Sequence, residues 1–316
     1  MPAAISDEVR RGLIAARMPA AADWRDWRHA PPLRRLRDGW AQARNVQNAA
    51  AHAEALLSDG AWIDALFAPM VRILADHPLG DPPVKVSRDA LRTSVLLHDC
   101  AVGSLTATIL SARALADAPL PPNIVVAGRL SVMRVHHAGG AVLRRWRAGP
   151  IRDDFSLANV GRCHALPPIA LGDGAVVRLD GRTDAMLITD AVRDVATLTA
   201  TIRLGAAPVM REYARDDGRP LRAATLDERA ARSQMLLTLL RVCGRRDAGA
   251  AFDAATRDPA FFVRWDAMRQ WLAIDADAAE SRLADMALHD PNADIRTAAA
   301  ATLAQVARMR AARDAA

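Results

Sequence analysis

The spacing of apolar residues along this chain changes period twice, and that double switch limits the fold more than any single motif does. Over 1–83 the period is helical. Val9, Leu13 and Ile14 predict a first amphipathic helix behind a Ser6 cap. Pro31 and Pro32 then break the chain, and a longer helix is expected from Leu33 past Leu57. After Gly60, the residues Ile63, Leu66, Phe67, Met70, Val71 and Leu74 keep the spacing of one buried helical stripe. The proline-rich run from Pro78 to Pro83 stops helix formation and reads as a linker. From Leu91 to Tyr213 the period becomes two, the mark of strands with alternating faces. Strands are expected at 93–98, 104–111, 124–126, 130–137, 141–147, 175–179, 185–189, 195–203 and 208–213, which predicts an antiparallel sandwich or barrel.

From Asp227 the helical period returns and carries an internal repeat. Asp258-Pro259, Val263, Arg264, Ala267 and Trp271 recur as Asp290-Pro291, Ile295, Arg296, Ala299 and Leu303, at an offset of 32 residues. Arg232 stands 32 residues before Arg264, where an earlier, degenerate copy is expected. In each copy Asp caps a helix, Pro starts it, the β-branched residue enters the core and Ala permits close helix approach. About 90 residues of this pattern resemble HEAT-like helical repeats, whose stacked hairpins are used mainly to hold other chains.

The β segment carries a second resemblance. Gly172, Asp173 and Gly181, within the run from Leu171 to Asp184, are similar to the turn positions of the second conserved motif of cupin-type jelly rolls. Thr183 and Asp184 occupy the neighbourhood of the metal-binding histidine of that motif, and the adjacent His136 and His137 stand in place of the first motif's His-x-His. The expected fold class is therefore α+β. A central antiparallel jelly-roll-like β-sandwich or barrel (84–222) is flanked by an N-terminal helical region (1–83) and a C-terminal HEAT-like α-helical repeat (223–316).

Composition excludes several function classes. A chain of 316 residues, 51% hydrophobic and 25% charged, can bury a sizeable core and is not globally disordered. The net charge of +6 is modest, and Lys85 is the only lysine; the arginine and alanine bias matches a GC-rich bacterial genome. Trp24, Trp27, Leu33, Leu36 and Trp40 keep the spacing of an apolar stripe, so the neighbouring arginines read as a solvated face and no nucleic-acid partner is expected. Cys100, Cys163 and Cys243 are far apart and form no CxxC pair, which fits a reducing cytoplasm. Charged residues interrupt the N-terminal segment, no apolar run is long enough to span a bilayer, and no membrane partner is expected. Glycine-rich phosphate loops are absent.

Two sets of candidate site residues follow. Neighbours in a strand point to opposite faces, so one of His136 and His137 can look inward and join His164 and a carboxylate, Asp184 or Glu212, in a facial metal triad. Arg134, Arg144, Arg145, Trp146 and Tyr213 form the second set, an arginine-aromatic mouth able to hold a carboxylate or phosphate. His98 and Cys100 sit at an expected hairpin with no third catalytic group beside them. The first functional reading is a cupin-like binding or scaffold protein that recognises a protein or peptide partner through its helical repeats, or a small acidic ligand. The alternative is a metal-dependent oxygenase acting on a peptide or small acid, for which the resemblance implies iron(II).

Overall fold

Among the described residues, proline and capping residues cut the N-terminal region into four helices. In the computed structural model, residues 20–78, 82–151 and 160–314 are described. The expected helix at Val9, Leu13 and Ile14 and positions 79–81 of the linker lie outside them. Helix α1 covers 20–28, α2 Pro31–Ala41, α3 Val46–Ser58 and α4 Gly60–Asp76. The single helix expected from Leu33 past Leu57 is thus two. The Asn45 side chain accepts a hydrogen bond from the Asn48 amide (2.9 Å) and opens α3 as an N-cap, where an uninterrupted helix would leave that side chain idle. The buried stripe of α4 is Trp62, Ile63, Leu66, Met70 and Ile73; Val71 and Leu74, expected within it, are 64% and 43% exposed because they lie one step round the helix. Indole N–H groups tie the helices together: Trp27 donates to the Leu66 carbonyl (2.9 Å), Trp62 to Pro32 (3.1 Å) and Trp40 to Ala49 (3.3 Å).

The alternating segment supplies the strands. In chain order they are β1 (Lys85–Arg88), β2 (Arg92–Asp99), β3 (Gly103–Leu110), β4 (Asn123–Val126), β5 (Leu130–His137) and β6 (Val142–Arg147). They continue as β7 (His164–Ala170), β8 (Val176–Asp180), β9 (Asp184–Thr189), β10 (Val195–Ile202), β11 (Val209–Ala214) and β12 (Pro220–Thr225), with a short helix α5 (Ala112–Asp117) after β3. The chain forms two compact units, neither continuous in sequence. One comprises Met1–Pro122, Arg129–Arg147 and Ala165–Ala206; the other comprises Asn123–Gly128, Ala148–His164 and Ala207–Ala316.

The first unit holds a six-stranded antiparallel sheet in the order β1-β2-β3-β10-β5-β8 and a three-stranded sheet β7-β6-β9. Leu97, Leu105, Leu130, Val132, Leu198, Ala200 and Ile202 cover one face of the larger sheet and join the tryptophans and leucines of the helices in one core. On the other face, Met133, Val135 and Val195 meet Leu143, Ile169 and Ile188 of the smaller sheet. A helical layer, a six-stranded sheet and a three-stranded sheet therefore stack over two apolar seams. The fold class is α+β, with helices before, sheets in the middle and helices after.

His98 is half-buried at the end of β2, its ring 6.0 Å from that of Trp40, and burial followed by the Arg37 charge holds its pKa below the usual histidine value. The unfolded chain therefore binds this proton more readily than the folded one. Stability carried by neutral His98 is complete above about pH 6.5 and is lost as pH falls through that value towards the depressed folded pKa. Urea midpoints measured between pH 7.5 and 5 are expected to fall less steeply for His98→Gln than for the natural chain; identical slopes would rule this contribution out.

The second unit holds the sheet β12-β11-β4 and helices α6 (Glu228–Val242), α7 (Gly249–Ala255), α8 (Phe261–Ile274), α9 (Ala276–His289) and α10 (Ala293–Asp314). Its core joins Phe252, Ala267, Met268, Trp271, Leu283, Met286, Ile295 and Ala299. The 32-residue offset reappears as a hydrogen-bond pattern. Arg264 donates to the Asp258 and Pro259 carbonyls (3.0 and 3.1 Å), and Arg296 to those of Asp290 and Pro291 (2.7 and 3.3 Å). Arg264 also reaches Asp290 of the next copy through two bonds, Nε to Oδ2 at 2.8 Å and an Nη to Oδ1 at 2.7 Å. No helix among the described residues is long and apolar enough to cross a membrane.

Candidate functional site

The run from Leu171 to Asp184 opens with the turn before β8. Gly174 (φ +78°) takes the left-handed position of this turn, whereas an added Cβ at Gly172 would meet only open space. Gly181 is required for close approach, since a Cβ there would lie 2.3 Å from the Arg129 carbonyl oxygen. Asp173 accepts from the Ala138 amide (2.7 Å), and Nδ1 of His137 lies 3.4 Å from its carboxylate. That backbone bond, then the His137 charge, holds the Asp173 carboxyl below the usual carboxylate range. The motif residues therefore fasten the end of β5 to the β8 turn.

The residues of the expected metal triad are occupied otherwise. His136 is exposed, His137 faces Asp173, and His164 is exposed and belongs to the other compact unit. Asp184, buried at the start of β9, accepts two bonds from Arg147, at 2.8 and 2.9 Å, and a third from the Thr183 hydroxyl at 3.1 Å. Glu212 on β11 is held by the Asn123 amide (2.7 Å) and by Arg222. Among the described residues, no three His, Cys, Asp or Glu side chains gather where they could hold a metal ion. The donor set does not fit iron(II), which needs three ligands converging on one point. The physical reason is competition: in an arginine-rich chain each candidate carboxylate has found a guanidinium partner.

The arginine set is spent in the same way. Arg134 donates to the Leu57 carbonyl of α3 (2.8 Å), which fastens that helix to β5. Arg144 donates to Thr189 (3.1 Å) and Asp190 (3.2 Å); the Thr189 hydroxyl also donates to Asp190 (2.7 Å), and this bond, then that of Arg144, keeps the Asp190 carboxyl below its ordinary range. Arg145 donates to the Pro167 carbonyl (3.2 Å), and Trp146 is buried. Tyr213 is fully buried in the second unit with the Arg211 guanidinium 5.8 Å from its ring centre, and burial raises its phenol pKa. Arg144, Arg145 and Trp146 share β6, but Arg134 turns to the helical layer and Tyr213 lies in the other unit. Within the first unit, Arg134 therefore does not join the three residues of β6 in one mouth. The space where a barrel ligand would sit, between the two sheets, is filled by Met133, Val135, Leu143, Leu171, Ile188 and Val195.

An open, mixed-polarity cleft does exist in the second unit. It holds about 790 Å³ and is lined by Pro208 before β11, Asp227, Arg229 and Ser233 at the start of α6, and Asp258, Pro259, Phe261 and Phe262 at the start of α8. Asp227 is the N-cap of α6, but Asp258 does not cap α8 as expected: the N-cap there is Ala260, with no side-chain cap bond, and Asp258 holds the turn before it. Asp227 accepts from the Arg229 amide and Asp258 from the Ala260 amide, each at 2.8 Å, so each keeps further lone pairs for a ligand. Phe261 and Phe262 meet edge to face with ring centres 5.3 Å apart, and both are only half-buried. A ligand here meets two acidic acceptors, one guanidinium and two phenyl faces. Sequence reasoning used Asp258-Pro259 only as a repeat marker and passed over the Phe-Phe pair beside it. The available signal was that 261 and 262 precede the buried stripe of α8, which runs through 263, 264, 267, 268 and 271.

No protein-family profile matches the chain, and no curated protein matches it. Solved structures show only distant likeness. The 7S globulin of Momordica charantia is 8% identical over 43% of this chain and 36% of its own, with a TM-score of 0.26, so the chain spans little over a third of that protein. A sugar phosphate isomerase of the cupin superfamily from Silicibacter pomeroyi is 12% identical over 46% of this chain and 87% of its own, with a TM-score of 0.23. A structure from work on DMSP lyases is 13% identical over 62% of this chain and 94% of its own, with a TM-score of 0.28. Likeness at this level assigns the chain to no family.

Proposed function

We propose that this is a cupin-like binding or scaffold protein whose C-terminal, HEAT-like helical unit recognises a peptide segment of a partner protein. The observation that carries the reading is the 790 Å³ cleft, in which the carboxylates of Asp227 and Asp258 stand beside two half-exposed phenyl rings. Its chemistry selects a peptide with a basic residue next to a bulky apolar one: the basic group meets Asp227 and Asp258, and the apolar side chain covers Phe261 and Phe262. A small acid is the poorer fit, because Arg134, Arg144 and Arg145 already donate to acceptors within the chain. The oxygenase alternative lacks a converging ligand set among the described residues. The free thiols, one of them the exposed Cys243, suit the reducing cytoplasm in which we place this activity.

Peptide-library selection against the full chain tests the proposal. Enriched sequences should carry the basic-apolar pair. Phe262→Ala should weaken the best of them by about thirtyfold, as expected for an aromatic anchor worth about 2 kcal/mol. Asp258→Asn keeps an acceptor for the Ala260 amide but removes the charge, and should weaken basic peptides selectively. Failure to enrich any peptide, or binding indifferent to both substitutions, would overturn the reading. So would near-stoichiometric metal in the purified protein that disappears in His137→Ala or His164→Ala, which would restore the enzyme alternative.

A further inference from the structure

Helix α6 carries a row of apolar side chains on its outer surface. Met235 is 72% exposed, Leu236 61%, Leu239 55% and Val242 68%, and with Gln234, Thr238 and Asp266 they border a shallow groove of about 780 Å³. Scattered exposed leucines are ordinary, but four within two turns of one helix form a contiguous patch. The 32-residue offset shows what this patch is. Stepping forward by 32 from Met235, Leu236, Leu239 and Val242 gives Ala267, Met268, Trp271 and Ile274 on α8. Ala267 and Met268 are fully buried there and Trp271 is 8% exposed, because α8 is flanked by α6, α7 and α9. On α6 the helix buries Ala230 and Leu237 instead, and the face matching the core of α8 has no helix across it among the described residues. In the repeat, α6 is therefore a second helix whose first helix is missing.

We infer that this face of α6 is a docking site for an amphipathic α-helix of a partner protein, one that takes the place of the missing helix and carries acidic residues beside its apolar stripe. The repeat geometry identifies the occupant as a helix, since on α8 helices fill the matching position. Its apolar residues must recur at i, i+3 or i+4 and i+7, the period that interlocks with Met235, Leu239 and Val242. The charge around the groove sets the flanks. Between 232 and 247 the exposed charges are Arg232, Arg241, Arg245 and Arg246 against Asp247, which Arg245 binds, and Asp266 is the one charged residue lining the groove itself. Glutamates on the incoming helix are attracted to this rim and lysines are repelled. The groove and the Phe261–Phe262 cleft share no lining residue, so the site goes beyond the peptide-binding reading and stands without it.

Fluorescence anisotropy with the full chain and three synthetic 18-residue peptides tests the inference. One peptide has a leucine stripe with glutamate flanks, the second has the same stripe with lysine flanks, and the third scrambles the first. The glutamate-flanked helix should bind at least tenfold more tightly than either control. Leu236→Asp with Leu239→Asp should reduce its binding at least tenfold, while the far-ultraviolet spectrum and melting temperature stay unchanged, because both side chains are exposed. Phe262→Ala should leave it unaffected, so that loss of the cleft reading and loss of this one are told apart. Equal binding of the two charged peptides, or binding that survives the double substitution, overturns the proposal. So does concentration-dependent dimerisation in sedimentation that Leu239→Asp abolishes, since the face would then belong to a second copy of this chain.

Discussion

Replacing Asp290 with alanine is expected to destabilise the second unit by about 3–5 kcal/mol, the cost of leaving one member of a buried ion pair without its partner. The Arg264 and Asp290 side chains are only 8% and 1% exposed, and two bonds of 2.8 and 2.7 Å join them in a fork. Asp290 also accepts from the Asn292 amide (2.9 Å), so the substitution removes a local turn bond as well. The Arg257–Asp253 pair on the same unit is 56% and 37% exposed, and Asp253→Ala should cost no more than about 1 kcal/mol. Adding Arg264→Met to Asp290→Ala should recover part of the loss, because the guanidinium left behind is then removed. Urea unfolding followed by far-ultraviolet circular dichroism gives all three values. A loss below about 1 kcal/mol for Asp290→Ala would mean that the fork is not what ties the two helical pairs together.

Trp40→Ala should produce a loss of similar size in the first unit, about 3–5 kcal/mol, as a large aromatic side chain is cut from a closed core. Trp40 is 1% exposed and donates its indole N–H to the Ala49 carbonyl at 3.3 Å. Its ring also lies against β3, where a Cβ added at Gly103 would come within 3.2 Å of it. Helices α2 and α3 and the first apolar seam of the sheet thus share this one side chain. Trp40→Phe keeps a ring in the seam and should lose less. Tryptophan fluorescence suits the measurement, since five of the seven tryptophans (Trp24, Trp27, Trp40, Trp62 and Trp146) belong to this unit. A transition unmoved by Trp40→Ala would show that the helices are not anchored to the sheet at this point.

What the sequence disclosed depended on whether neighbours along the chain decided the outcome. Strands β2, β3, β5 and β10 alternate clearly because at least one of their faces is packed, and the predicted ranges differ from the observed ones by a residue at most ends. All four residues of β1 are exposed, so it has no apolar alternation to read. Strand β7 contains Pro167 and Pro168, which argue against a strand; it exists because it is an edge, where absent amide donors cost nothing. Strand β12 offers two adjacent alanines where β-branched residues would have announced it. The candidate site was less legible for a different reason. His137, Arg144 and Asp184 were all picked out as chemically capable, but Asp173, Asp190 and Arg147 already satisfy them, across separations of 36 to 46 residues. Partner choice at that distance is a property of register, which composition and spacing do not encode.

The position of β10 has a consequence for the order in which the chain is made. This strand sits between β3 and β5 in the middle of the six-stranded sheet. Strand β3 is finished at Leu110 and β10 at Ile202, 92 residues later. A ribosome adding about 5–20 residues per second takes about 5–18 s over that stretch. Until then β3 and β5 each present an unfilled edge, and Leu105 and Val132, fully buried at the end, have no central strand between them. The hairpin β2–β3 and the pair β5–β8 can form early, but they wait as two half-sheets. The last insertion is the step at which a nascent chain is most open to pairing with a neighbour's edge, and for that interval the emerging protein depends on whatever holds the two halves apart from other chains.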